Sequence, residues 1–185
     1  MPDVIILNGG SSSGKSSLAR ELQRLLEEPW ITLGVDDLLA ALAPSLVGDA
    51  PAHPGHPTLL SYGADGSVHV SPRWGPVESA WYCGIAAMAR AGLGVILDEV
   101  LLDGGGGQKR VATALDGLSL LWVGVFCDPT VAAGREKLRP DRTIGMATSQ
   151  ATQVHDGVRY DLIVDTTASS TVECARTVMA RLVSS

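Results

Sequence analysis

The chain predicts an α/β fold: a five-stranded parallel sheet with helices on both faces, plus a small hairpin insertion. Three observations carry that prediction. Short apolar, β-branched runs alternate with segments whose apolar residues recur at helical spacing. A glycine-rich turn joins the first run to the first helix. Of 185 residues, 45% are hydrophobic and 18% charged, enough apolar material for a two-sided core and too little charge for a disordered chain. This length fits a single domain over residues 1–185.

Residues 4–7 are the continuous apolar run that a strand buried on both faces requires. Residues 15–26 put Leu18, Ala19, Leu22, Leu25 and Leu26 on one helical face, and Pro29 closes that helix. A second strand is expected at 31–34, then a short helix at 36–42 with Asp36 and Asp37 in its first turn. Residues 43–58 contain Pro44, Pro51, Pro54 and Pro57 with His53 and His56, and read as a loop. Residues 59–70 read as a hairpin turning at Gly63-Ala64-Asp65-Gly66, with Val68 and Val70 on one face. Helix is expected at 76–91, and a buried strand ending in an acid at 95–98. The glycines 104–107 precede a helix at 108–115, and 120–127 is the longest strand candidate. The remainder reads as helix at 130–138, loop at 139–147, short helix at 149–155, strand at 162–164 and helix at 171–182. Strands separated by helices pair in parallel through crossovers, which covers both sheet faces.

Composition also excludes several function classes. A net charge of −6 argues against a nucleic-acid partner held by a broad basic surface. No apolar run approaches the ~20 residues needed to span a bilayer, and no basic segment followed by an apolar stretch marks a signal peptide. Cys83, Cys127 and Cys174 are odd in number and outside any metal-ligand spacing, which fits reduced thiols in a cytoplasmic protein. His53, His56, His69 and His155 form no ligand set by spacing. The oligomeric state is left open.

Gly9-Gly10-Ser11-Ser12-Ser13-Gly14-Lys15-Ser16 matches G-x-x-x-x-G-K-[ST] in full, with a strand before it and an amphipathic helix after it. Its glycines let backbone N–H groups converge on phosphate oxygens, and the helix N-terminus adds partial positive charge. Lys15 is placed to reach the β- and γ-phosphates and Ser16 to ligate Mg²⁺. Asp98 ends an apolar strand at the same sheet edge, where a carboxylate holds Mg²⁺ directly or through water. Glu99 follows it with a weaker claim on the phosphate site. Arg135 precedes, and Arg139 and Arg142 flank, a Pro-Asp turn after a helix, as in a lid over residues 135–147 whose guanidinium groups bind transferring phosphoryl oxygens. A solvated basic helix end is the other reading, and Arg135 also pairs easily with nearby acids. Asp36 stands equally as a carboxylate that orients an acceptor hydroxyl and takes its proton, or as the cap of its helix.

A collinear series of segments resembles chloramphenicol phosphotransferase. It comprises Ile6 to Ser16, Gly34-Val35-Asp36, Ala86 to Gly92, Leu121 to Val125, Gly134 to Arg142, Gly145-Met146-Ala147 and Asp165-Thr166-Thr167. The series covers nearly the whole chain and is far more specific than the phosphate loop alone. The resemblance implies a P-loop kinase of the nucleotide- and shikimate-kinase type that phosphorylates an antibiotic hydroxyl from ATP and confers resistance. It places the family's catalytic aspartate at Asp36 and supports Arg139 and Arg142 as lid residues. The implied ATP contacts are Gly9, Gly10, Ser11, Ser12, Ser13, Gly14, Lys15, Ser16 and Ser17, with Arg135, Thr166 and Thr167.

One region departs from the pattern. Residues 43–75 are longer than expected and carry Pro51, His53, Pro54, His56 and Pro57, in a segment that lies over the acceptor in such kinases. A longer, His-bearing segment suits a larger polar acceptor, such as the nucleoside antibiotic capuramycin. Trp81, Tyr82 and Met88 on the following helix are candidates for a pocket wall, with core packing the alternative for Met88. The other functions compatible with these motifs are a metabolite kinase, a kinase toxin acting on a nucleotide sugar, and an ATP-binding regulatory module.

Overall fold

The computed structural model describes residues 1–48, 58–138 and 145–183. Arg139, Arg142 and the Pro/His segment 51–57 lie outside the described residues. In chain order the elements are β1 (Val4–Asn8), α1 (Lys15–Leu25), β2 (Trp30–Gly34), α2 (Val35–Ala41), β3 (Leu60–Tyr62), β4 (Val68–Val70) and α3 (Trp74–Arg90). They continue with β5 (Gly94–Glu99), α4 (Gly105–Ala114), β6 (Leu120–Phe126), α5 (Pro129–Glu136), α6 (Met146–Gln153), β7 (Leu162–Asp165) and α7 (Thr171–Val183).

Five strands form one parallel sheet in the order β2-β5-β1-β6-β7, as the alternation predicts. Central β1 pairs with β5 on one side and β6 on the other, so Asn8 ends beside Glu99 and Gly124. The chain leaves β1 for one edge and later fills the other side, and ligands of open α/β sheets bind in the crevice at such a reversal.

The period of two along β1 divides the core. Ile5 and Leu7 pack with Leu18 and Leu22 of α1 and Val178 and Leu182 of α7. Val4 and Ile6 pack on the other face with Ile85 and Ala89 of α3, Val111 of α4 and Leu115. These four apolar side chains of β1 have zero solvent exposure. Burying each is worth about 2 kcal/mol, so β1 is a firmly anchored base for the loop that follows it.

The hairpin forms from β3 and β4 in antiparallel register, Tyr62 opposite Val68. A small apolar cluster of Leu38, Leu59 and Trp74 ties it to α2 and α3. The turn packs its backbone so closely on the start of α6 that a Cβ on Gly66 would lie 2.2 Å from the Gly145 carbonyl carbon.

Three helices begin two or three residues earlier than the sequence predicts. α3 starts at Trp74, two residues before Pro76, whose missing N–H costs nothing in a first helical turn. α4 recruits the glycine run, starting at Gly105 instead of 108. Glycine is a poor helix former, but here the Gly105 N–H donates to the Asp156 carbonyl at 2.8 Å, and a Cβ would meet the Gly157 carbonyl at 2.5 Å. α6 starts at Met146 because the Glu136 carboxylate accepts from the amides of Gly145 at 2.8 Å and Ala147 at 2.7 Å. Among the described residues, no helix is long and apolar enough to cross a membrane, and all three cysteines are free.

Candidate active site

The loop between β1 and α1 is built by close approach. A Cβ on Gly9 would stand 2.4 Å from the Val125 carbonyl oxygen, so only glycine fits beside β6. Gly14 caps α1 with φ +94°, a conformation that costs a side chain strain. The hydroxyls of Ser11, Ser12 and Ser13 are buried with no protein partner. Hydroxyl donors held unpaired around a helix N-terminus are the chemistry an oxyanion needs.

The elements around the loop brace it. Gln150 of α6 accepts from the Ser11 amide at 2.8 Å, and the Thr166 hydroxyl donates to the Ser13 carbonyl at 2.6 Å. Asn8 donates to the Val154 carbonyl and the Tyr160 hydroxyl and accepts from the Leu101 amide. His155 meets the same Tyr160 hydroxyl at 2.6 Å and stacks on Phe126 with centroids 3.8 Å apart. Burial, with Lys15 nearby, pulls the His155 imidazole down to about 4, and burial pushes the Tyr160 phenol up to about 12. Both rings are therefore neutral near pH 7 and serve as packing and hydrogen-bonding groups. Neither Asn8 nor Gln150 is visible as a site residue in the sequence, because their partners lie far along the chain.

The Lys15 ammonium donates to the Gly10 carbonyl at 2.9 Å and lies 3.8 Å from Asp98. Ser16 donates to the other Asp98 oxygen at 2.7 Å. The sequence-predicted phosphate-site residues Lys15, Ser16 and Asp98 thus converge. Ser16 and Asp98 place two hard oxygen donors side by side, which fits a magnesium ion that takes its remaining ligands from phosphates and water. Among the described residues no group of three or more His, Cys, Asp or Glu side chains is arranged to hold a metal.

Gly34 brings the second carboxylate to the same edge. A Cβ there would stand 2.4 Å from the Asp98 carbonyl oxygen, so glycine alone lets β2 end against β5. The helix that starts at Val35 then separates the two aspartates. Asp37 accepts from the Gly34 amide at 2.8 Å, so the capping role open for Asp36 in the sequence falls to Asp37. Asp36 is exposed and lines a cleft of about 460 Å³ with Lys15, Ser16, Ser17, Arg20 and Asp98. Arg20 escaped notice in the sequence; it follows Ser16 by four residues, so α1 turns it to the same side.

The remaining predicted residues lie around this cleft in distinct roles. Arg135 donates to the Thr166 hydroxyl at 3.2 Å and its carbonyl at 2.7 Å, which holds its guanidinium behind the loop. The Thr167 hydroxyl accepts from the Asp128 amide. Glu99 points to the opposite sheet face from Asp98, as the strand's period of two requires. It lines a separate cavity with Trp81 and Tyr82, whereas Met88 packs in the core. Burial first, then the Asp98 and Glu78 carboxylates, pushes the Glu99 carboxyl up to about 8.

A parallel sheet of this order, with a phosphate loop at its central strand and carboxylates at the same edge, defines a P-loop kinase. Known proteins agree. A sugar kinase from Janibacter sp. HTCC2649 superposes with a TM-score of 0.68 at 15% identity, covering 97% of this chain and 93% of that one. Shikimate kinase from Acinetobacter baumannii, solved with shikimate, superposes with a TM-score of 0.58 at 12% identity, covering 100% of this chain and 94% of that one. The Mycobacterium tuberculosis (strain H37Rv) protein named "Putative O-phosphotransferase Rv2636" is 35% identical over 186 aligned positions, 95% of this chain and 81% of that protein. Residues 2–183 match the model of the chloramphenicol phosphotransferase-like family, and the chain belongs to that family. It is a phosphotransfer enzyme of the kinase type with a nucleotide-binding P-loop.

Proposed function

We propose that the chain transfers the γ-phosphate of ATP to a hydroxyl of a small antibiotic, chloramphenicol or a nucleoside antibiotic such as capuramycin, and so inactivates it. The observation that carries this reading is the exposed carboxylate of Asp36. It lines one cleft with Lys15, Ser16 and Asp98, while Asp37 is tied to the backbone. When bound, Mg·ATP supplies the phosphoryl group and a metal that offsets its charge. Lys15 binds the β- and γ-phosphate oxygens and stabilises charge as it moves during transfer. Ser16 and Asp98 hold the metal. Asp36 orients the acceptor hydroxyl in line and takes its proton late in the reaction. The serine-rich loop is braced by Gln150 and Thr166. Arg139 and Arg142, outside the described residues, are assigned to the lid.

The test is an ATP-consumption screen against hydroxylated antibiotics, followed by mass spectrometry for a single added phosphoryl group. Acceptor-stimulated turnover with a phosphorylated antibiotic is the expected result. Slow ATP hydrolysis that no acceptor in the panel stimulates would rule the antibiotic reading out.

A further inference from the structure

Helix α6 touches both the hairpin and the phosphate loop. At its N-terminus the hairpin turn meets it backbone against backbone. A Cβ on Gly66 would lie 2.3 Å from the Met146 nitrogen, and one on Gly145 would lie 2.6 Å from the Asp65 carbonyl oxygen. Both glycines have positive φ, +82° and +100°. With no side chains at this seam, a shift of one backbone is passed to the other instead of being absorbed by a rotamer change. Glu136 holds the same end of α6 through the Gly145 and Ala147 amides.

One turn further on, about 6 Å along the helix, Gln150 reaches the phosphate loop. It is 3% exposed and accepts from the Ser11 amide at 2.8 Å. Its backbone also packs on the loop, since a Cβ on Gly10 would stand 3.2 Å from the Gln150 carbonyl carbon. The Ser11 amide and the Gly10 carbonyl belong to one planar peptide unit. That carbonyl accepts from the Lys15 ammonium at 2.9 Å. The far end of α6 is pinned: Gln153 donates to the Leu102 carbonyl, and the Val154 carbonyl accepts from Asn8. A push on the Gly145 end therefore tilts the helix, turns the Gly10–Ser11 peptide and moves the carbonyl that holds Lys15.

We propose that α6 is a strut through which the hairpin turn sets the phosphate loop, with Gln150 as the positioning residue that passes the turn's place on to Lys15. Asp65 and Gly66 do not line the cleft, so the turn acts on bound phosphate from a distance, through the helix. Such coupling is reciprocal. Whatever steadies the phosphate loop steadies the turn, and whatever displaces the turn loosens the hold on phosphate. The proposal rests on the nucleotide-binding loop and is independent of the antibiotic reading.

Amide hydrogen exchange of the full wild-type chain, with and without the magnesium complex of a non-hydrolysable ATP analogue, reads one direction. The Gly63 and Gly66 amides donate within the turn, to the Ser67 and Gly63 carbonyls. They are expected to exchange several-fold more slowly with the analogue bound, and Gln150→Leu should remove that protection. Analogue affinity reads the other direction. Gly66→Ala should weaken binding about tenfold, the scale of one lost hydrogen bond. Gln150→Leu should weaken it by a similar factor, and combining the two should cost no more than either alone. Ser67→Ala removes the hydroxyl bond to Asp65 without adding an atom at the seam, so it should leave affinity unchanged. Unprotected turn amides at saturating analogue, unchanged affinity in Gly66→Ala, additive losses in the double variant, or an equal loss in Ser67→Ala overturns the proposal. The wild-type exchange measurement stands even where a glycine variant fails to fold. A wild type that fails to bind the analogue overturns the nucleotide-binding reading itself, whereas one that binds it with unprotected turn amides overturns the strut alone.

Discussion

Two neighbouring aspartates divide the work at the start of α2. On the proposed mechanism Asp36→Asn removes the proton acceptor but keeps the shape, so kcat should fall about 10²–10⁴-fold with little change in ATP affinity. Asp37→Asn disturbs the bond to the Gly34 amide. It should cost about 1 kcal/mol of stability and leave most of the turnover. Steady-state kinetics and urea melts of the two variants separate these effects, and a larger kcat loss in Asp37→Asn would reassign the carboxylate. Gly34→Ala acts by a third route. Its Cβ would stand 2.4 Å from the Asp98 carbonyl oxygen and push β2 away from β5. The expected loss is about 1–3 kcal/mol, read as a lower Tm, together with a drop in activity because Asp36 moves away from Lys15.

Among the elements, α5 and α6 are held together by one buried carboxylate. Glu136 is 2% exposed and spans the two ends of the segment that carries Arg139 and Arg142. Glu136→Ala strips the Gly145 and Ala147 amides of their acceptor. Urea denaturation should show a loss of about 1–3 kcal/mol, and amide exchange should quicken at the start of α6. Because Gln150 of that helix braces Ser11, ATP affinity should also fall. Unchanged ATP affinity would mean that α6 does not support the phosphate loop. The sequence places a helix here but starts it three residues late, since the capping acid comes from the preceding helix.

Across the whole molecule, buried ionisable groups tie stability to pH with opposite signs. The His155 imidazole is pulled from 6.5 to about 4, so between those values the unfolded chain binds the extra proton. Its contribution is complete above about pH 6.5 and is lost as pH falls towards 4. Glu99 acts in the other direction: its carboxyl is raised from 4.5 to about 8, so its contribution is lost as pH rises through that interval. Comparing wild type with His155→Gln at each pH isolates the first effect. The wild type should lose ground relative to the variant between pH 6.5 and 4. A difference that stays constant with pH would show that folding leaves the His155 pKa where it is in the unfolded chain.

Strand–helix alternation, the two-sided core and the phosphate loop are all written locally. Apolar periodicity sets which face of a segment is buried, and a glycine-rich turn between strand and helix needs no distant partner to form. The same local logic places Lys15, Ser16 and Asp98 at one sheet edge once the strands are parallel. The separation of Asp98 from Glu99 onto opposite faces also follows from the strand's period of two. Other features depend on chain segments that meet only on folding. Gly105 opens α4 where the backbone at Asp156 and Gly157 lies against it. Gln150 and Asn8 become part of the site through partners 139 and 93 residues away, respectively. Asp37 holds the Gly34 amide while Asp36 lines the cleft, at a strand end that packs on the Asp98 carbonyl. The second cavity, which Glu99 lines, lies where the hairpin, α3 and the end of β5 converge. Periodicity and backbone chemistry act over a few residues and are legible along the chain, whereas hydrogen-bond partners and cavities arise from the docking of elements and are decided in three dimensions.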